Sequence, residues 1–196
     1  MKFTEAKLEL AIIELLEQQG YPHFIGDNID RDPGDVLIKS DLHHFLNQRY
    51  ADDQITETEI NAIIRNLENF SATDLYETNK AIMKMVSDGF LLKREDRSQK
   101  DLYIQLIDYS GLVDSRLPKE NEVATLVTSN SSTEAIADDS PAYSIDHNIY
   151  KMVNQLEIQG YETRIPDGIL YINGLPLVVF EFKSAIREGV TDRTRL

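Results

Sequence analysis

The chain has 196 residues, with 20 Lys and Arg against 34 Asp and Glu, so its net charge is −14. It contains no Cys, which excludes a disulfide scaffold, a cysteine nucleophile, Fe–S clusters and thiolate zinc. A hydrophobic content of 41% with nine Tyr and seven Phe argues against wholesale disorder; the apolar run 175–180 is too short for a bilayer, and no signal-peptide core precedes the first amphipathic segment, so a soluble, cytoplasmic chain is expected.

The first helix is read over 4–19, with Thr4 as its cap, Leu8, Ile12, Leu15 and Leu16 as its apolar stripe, and Gly20 just past its end. A short strand over 21–25 follows, and then a loop over 27–35 rich in Asp, Asn, Pro and Gly. Ser40 can cap a helix carrying Leu42, Phe45 and Leu46. Thr56 and Glu59 form a capping box, Ile55 and Ile60 a hydrophobic staple, and Ile60, Ile63, Ile64 and Leu67 the inner face of the next helix. A fourth helix, about 73–87, stops at Asp88-Gly89, and 90–107 reads as a hairpin across the polar run 93–100. Residues 117–142, dominated by Glu, Asn, Thr, Ser and Ala, read as an exposed loop. A strand is expected over 149–158, and Asn173-Gly174 between 169–172 and 177–182 is the strongest hairpin signal in the chain.

The negative charge opposes nucleic-acid binding only upstream of residue 161. From 161 to 196, five basic residues (Arg164, Lys183, Arg187, Arg193, Arg195) balance five acidic ones. The sequence has no Gly-rich phosphate loop of the G-x-x-x-x-G-K-[ST] type, hence no evident nucleotide site. His43 and His44 are adjacent, so a helix turns them about 100° apart, and with His23 and His147 distant a zinc site is not indicated.

Chemistry concentrates at Asp167, Glu181 and Lys183, which lie in or beside strands whose composition suits burial. Glu181 and Lys183 are two apart and share a face, while Val178, Phe180 and Phe182 take the other and are expected to feed the core. A buried carboxylate there would cost several kcal/mol unless paired or metal-bound. A two-residue Asn173-Gly174 turn with a regular ladder pairs Ile172 with Leu175 and sets Asp167 opposite Phe180, on the wrong face. A three-residue loop or a bulge, as Gly174 in αL within a G1-bulge loop would supply, brings Asp167 beside Glu181, so the catalytic reading demands a bulged or odd-length turn. Two carboxylates so placed, with a lysine two residues on, make a hard-oxygen site for Mg²⁺ in which Lys183 orients water or stabilises charge on a pentacoordinate phosphate. The same spacing also describes a surface Glu–Lys pair with an Asp in a turn.

The string Pro166-Asp167 … Asn173-Gly174-Leu175-Pro176-Leu177-Val178-Val179-Phe180-Glu181-Phe182-Lys183 resembles the nuclease core of type I restriction enzyme R subunits, members of the PD-(D/E)XK superfamily. Residues 4–9 through Gly20-Tyr21, 79–89, Leu106-Ile107-Asp108 and Asn154-Gln155 extend the likeness. The resemblance implies an α/β fold, a restriction-endonuclease-like mixed sheet flanked by helices, with a helical and hairpin elaboration. It implies one nuclease domain over 1–196: the elaboration at about 36–116, the loop 117–142, and core strands over 149–183 with helix 4–19 packed on them. It also implies Mg²⁺-dependent cleavage of double-stranded DNA (Mn²⁺ substituting), with Asp167, Glu181 and the Phe182 carbonyl as metal ligands and Lys183 as the catalytic lysine. Glu9 matches the carboxylate that the superfamily often adds from its first helix, and reads equally as a solvated helix glutamate. Implied partners are the methyltransferase and specificity subunits. ATP would act only in motor domains of a longer subunit, and the Gln-x-x-x-Tyr motif that the family carries soon after its lysine does not occur between Lys183 and Leu196.

Two rival readings remain. Helices at 41–49, 56–69 and 73–87 followed by a hairpin carrying Lys93, Arg94 and Arg97 mimic a winged-helix DNA-binding regulator, against which stand Asp74, Glu77 and Asp88 on the candidate recognition helix. The other is a nuclease fold kept as an inactive binding module, which metal binding would separate from the enzyme.

Overall fold

The computed structural model describes residues 5–70, 73–110 and 147–183. Helix α1 (Glu5–Gln18) ends on Gly20 at φ +90°, where the Tyr21 N–H reaches Leu16 O (2.9 Å) and the Gly20 N–H reaches Glu17 O (3.0 Å). This pair of bonds caps two orphan carbonyls and turns the chain into β1 (His23–Ile25). The helix packs through a narrow stripe centred on Ile13, which is buried. Leu15 was expected in the stripe but is exposed, because two residues carry it about 200° around the axis from Ile13.

Helices α2 (Lys39–Arg49), α3 (Glu57–Glu68) and α4 (Leu75–Asp88) and the hairpin β2 (Phe90–Leu92)–β3 (Leu102–Ile104) follow. The α3 capping box forms as expected, Glu59 N–H to Thr56 Oγ1 at 3.2 Å and Thr56 N–H to Glu59 Oε2 at 3.0 Å. Ser40 does not cap α2. The N-cap is Ile38, whose carbonyl accepts the Asp41 and Leu42 N–H groups while its own N–H donates to Gly174 O at 3.0 Å, so this helix start is held by the sheet's tight turn rather than by a side chain. Leu42, Phe45, Leu46, Ile60, Ile63, Ile64, Leu67, Ile104 and Leu106 form the larger of two apolar clusters.

The main sheet runs β1-β4-β5-β6, with β4 (Tyr150–Asn154), β5 (Gly168–Ile172) and β6 (Leu175–Phe180) antiparallel in turn and β1 parallel to β4. This is the expected α/β class with a mixed sheet. The strand expected over 149–158 ends at Asn154, where Gln155 takes φ +52° and breaks the ladder. Ile158 returns only as an isolated bridge to Arg164. Ile38, Val153, Leu156, Ile169 and Tyr171 make the second cluster against the sheet.

The chain divides into two units, 1–107 with 148–196, and 108–147. In the second, Asp108 is buried and accepts the Ser110 N–H at 3.0 Å, and His147 Nδ1 lies 3.3 Å from its other oxygen. The expected loop 117–142 lies outside the described residues, as do Thr4, Arg187, Arg193 and Arg195. Among the described residues, no helix is long and apolar enough to cross a membrane.

Candidate active site

The register of β5 and β6 decides whether the three charged residues meet. Asn173 (φ 52°) and Gly174 (φ 76°) form a two-residue turn of the left-handed kind, pairing Ile172 with Leu175 and Tyr171 with Pro176. The next pairs are Leu170 with Val178, Ile169 with Val179 and Gly168 with Phe180, so Leu177 is an extra residue in β6. The required irregularity is therefore a bulge at Leu177, not a Gly174 G1 bulge. Asp167 stands two residues before Ile169 and Glu181 two after Val179, so the shifted ladder sets them opposite each other and on one face.

Asp167 is locked there. Its Oδ2 accepts the Phe182 N–H at 2.5 Å, closing the strand end with a side chain in place of a backbone partner. Lys183 Nζ lies 3.7 Å from Glu181 Oε2, consistent with a shared face, and both side chains are open to solvent, 81% and 59% exposed. The expectation of strands buried around the carboxylates is not met at β6. Among the described residues this strand is the sheet's edge: of the three residues expected in the core, Val178 is 42% exposed and Phe180 and Phe182 are half-buried, while Val179, on the Glu181 face, is 59% exposed. The desolvation argument for these carboxylates thus falls away, and register carries the case instead.

Lys151, the nearest upstream lysine, points elsewhere. It bonds Asp41 on α2 (Nζ to Oδ2 2.7 Å) and sits 5.1 Å from the Phe24 ring centroid, fixing α2 to β4.

Glu9 is not brought to the Asp167–Glu181 pair. Its Oε1 accepts from Asn154 Nδ2 at 3.0 Å, and Asn154 Oδ1 lies 2.9 Å from His23 Nε2. Asn154 follows Val153 in β4, and Val153 pairs with Ile169, so strand alternation puts Asn154 on the face opposite Asp167. This Glu9–Asn154–His23 chain was not anticipated. The signal available in sequence was a lone Asn closing an apolar strand.

Asn173 was read only as a turn former, yet it is fully buried. Its Nδ2 donates to Leu106 O (2.9 Å) and Asn148 Oδ1 (2.8 Å), and its Oδ1 accepts the Ile149 N–H (2.7 Å). A Cβ on Gly174 would collide with the Ile38 carbonyl oxygen, so the turn needs Gly for close approach as well as for φ.

Among the described residues, no group of three or more His, Asp or Glu gathers as a metal cage. The donor set at the β6 end nonetheless suits a hard cation that keeps much of its water: two carboxylates set in register, with the Glu181 side chain open to solvent. The winged-helix alternative keeps its hairpin and the exposed Lys93 and Arg97 but loses one of its three wing cations. Arg94 is buried, donating to Glu59 Oε1 (2.8 Å) and to the Asp53 and Gln54 carbonyls (both 2.9 Å), so it is spent inside the fold.

A family model described as type I restriction enzyme R protein N terminus matches residues 2–195. The chain is 24% identical over 196 residues to the type I restriction enzyme HindI endonuclease subunit of Haemophilus influenzae, covering 95% of this chain and 15% of that protein. It is 22% identical over 201 residues to the putative type I restriction enzyme MjaIXP endonuclease subunit of Methanocaldococcus jannaschii, covering 94% and 16%. The chain thus spans about one-sixth of these relatives. No solved structure matches it.

Proposed function

Since the chain belongs to the family described as type I restriction enzyme R protein N terminus, we propose that it carries the DNA-cleaving site of an R subunit, hydrolysing phosphodiester bonds with Mg²⁺ or, in its place, Mn²⁺. The observation that carries this reading is the bulge at Leu177, which turns an alignment that would separate Asp167 from Glu181 into one that sets them side by side.

Asp167 and Glu181 would hold the cation, with the Phe182 carbonyl as third ligand; when bound, it supplies Lewis-acid polarisation of a phosphoryl oxygen and acidifies water. The Phe182 N–H on Asp167 Oδ2 fixes that carboxylate's rotation, and Oδ1 would be the atom offered to the ion. Lys183, an ammonium on an exposed strand end, donates hydrogen bonds to the attacking water or to the oxygens gathering charge in the pentacoordinate transition state. Its long contact to Glu181 keeps it beside the carboxylates without immobilising it. Exposure at the sheet edge suits a duplex substrate, which cannot enter a deep pocket.

The relatives' names support a place as a subunit of a type I restriction enzyme; in our reading, methyltransferase and specificity subunits choose the DNA, and ATP-driven motor domains lie outside this chain. In a full-length subunit, Asp167→Ala and Lys183→Ala should abolish DNA cutting while ATP hydrolysis continues. Normal cutting by both variants would overturn the reading.

A further inference from the structure

The connection between β4 and β5 does more than deliver Asp167. Ile158 lies as many residues beyond Val153 as Arg164 lies before its partner Ile169, so the isolated Ile158–Arg164 bridge resumes the β4–β5 register past the break at Gln155. It is closed by reciprocal backbone bonds, Ile158 N–H to Arg164 O (2.8 Å) and Arg164 N–H to Ile158 O (3.0 Å). Beneath it, the Gln159 N–H donates to Pro33 O at 2.9 Å, Arg31 Nη2 donates to Glu157 O, and Ile158 packs on the sheet cluster. The base of the loop is therefore pinned while its tip, residues 159–163, stands in solvent.

That tip presents Tyr161 with its whole surface exposed, a large aromatic with no packing role in the fold. Arg164 has a surface partner, Glu162, at 3.4 Å with both side chains more than two-thirds exposed, an arrangement that contributes little and is easily exchanged for a phosphate, which binds a guanidinium bidentately. Only Ile165 and Pro166 separate Arg164 from Asp167, with the chain bending at Asp167, so their backbones lie at most roughly 10 Å apart, within the axial rise of about three nucleotides on one strand.

We propose that the loop closed by the Ile158–Arg164 bridge is a DNA-contacting finger beside the cleavage site, with Arg164 on a backbone phosphate flanking the scissile one and Tyr161 against the adjoining sugar or base. The proposal rests on the cleavage-site reading above. It makes both residues positioning rather than catalytic ones, acting on where the duplex lies and carrying no base readout.

The test uses the full-length subunit assembled in its complex, cutting an unmodified plasmid. Arg164→Ala should slow cleavage about tenfold and make its salt dependence shallower by about one unit of log rate against log salt, since one phosphate contact is lost. Arg164→Lys should restore the salt slope, and Tyr161→Ala should slow cutting with the slope unchanged. ATP hydrolysis and Mn²⁺ binding should stay at wild-type levels in all three. If Asp167→Ala abolishes cutting but Arg164→Ala matches wild type in rate and slope, the finger alone is refuted. A loss of complex assembly in the Arg164 and Tyr161 variants would make the tip a protein contact and also overturn it. If Asp167→Ala cuts normally, the cleavage-site reading falls first.

Discussion

Glu59 and Arg94 form a buried ion pair across the helical layer, Oε1 to Nε at 2.8 Å, with both side chains almost fully withdrawn from solvent. The carboxylate also takes the Thr56 and Glu95 N–H groups, and the guanidinium takes two carbonyls from the α2–α3 connection, so every strong group is satisfied. Arg94→Ala leaves a charged carboxylate buried and should cost about 3–5 kcal/mol in urea unfolding. A loss under about 1 kcal/mol would mean that solvent reaches the pair.

The same pair sets an acid response. Burial alone would raise the Glu59 carboxyl, but the Thr56 and Glu95 N–H groups and the Arg94 guanidinium outweigh it and hold the group below its ordinary value of 4.5. A depressed carboxylate stabilises the fold above its unfolded pKa, and that share disappears as pH falls through the folded value. Unfolding free energy measured downward from pH 5 should therefore drop more steeply for the wild type than for Glu59→Gln. Parallel curves would show that Glu59 does not titrate differently on folding.

Asn173→Asp replaces a two-hydrogen donor with a carboxylate facing the Leu106 carbonyl and Asn148 Oδ1, both of which are acceptors as they stand. We expect a loss of about 3 kcal/mol or more, read by thermal or chemical denaturation. Stability close to wild type would show that the turn is not seated as described.

At the β6 end, ligand and lysine roles separate by metal binding. Asp167→Ala should weaken Mn²⁺ binding at least tenfold by calorimetry, whereas Lys183→Ala should leave it intact, since an ammonium offers no lone pair. Equal weakening in both variants would contradict the assignment of Lys183.

Glu9→Gln keeps an oxygen acceptor for Asn154 Nδ2 and removes only the charge. Because alternation sets that network on the opposite face from Asp167, both Mn²⁺ affinity and the cleavage rate should stay within about twofold of wild type. A tenfold drop in affinity would place Glu9 in the metal shell.

Much of the helical layer was legible because its signals are local. The Thr56–Glu59 box, the Ile60-Ile63-Ile64-Leu67 stripe and the stop at Gly89 each lie within a few residues of chain. The errors arose where distant segments decide: Ser40 yielded its cap to a turn 134 residues away, and the strand after Ile149 stopped at Gln155. The candidate site was half legible. Residue types and the need for a register shift could be read, but not the bulge's position, which depends on how Leu177 meets the helical core. Burial of β6 was misread because apolar composition does not distinguish a central strand from one that, among the described residues, stands at the sheet's edge.

The extra residue at Leu177 uncouples counting along the chain from position in space. A sequence one residue shorter between the aspartate and the glutamate, running from Pro176 directly to Val178, would keep Leu170 beside Val178 and present the same two carboxylates across an uninterrupted ladder. Deletion of one residue between the turn and Val179 is thus absorbed by healing the bulge, whereas deletion between Asp167 and Ile172 has no such slack. Relatives can differ by one in this interval and share one geometry, so the spacing of the acidic pair is a poor ruler for alignment, and the tight turn is the safer anchor.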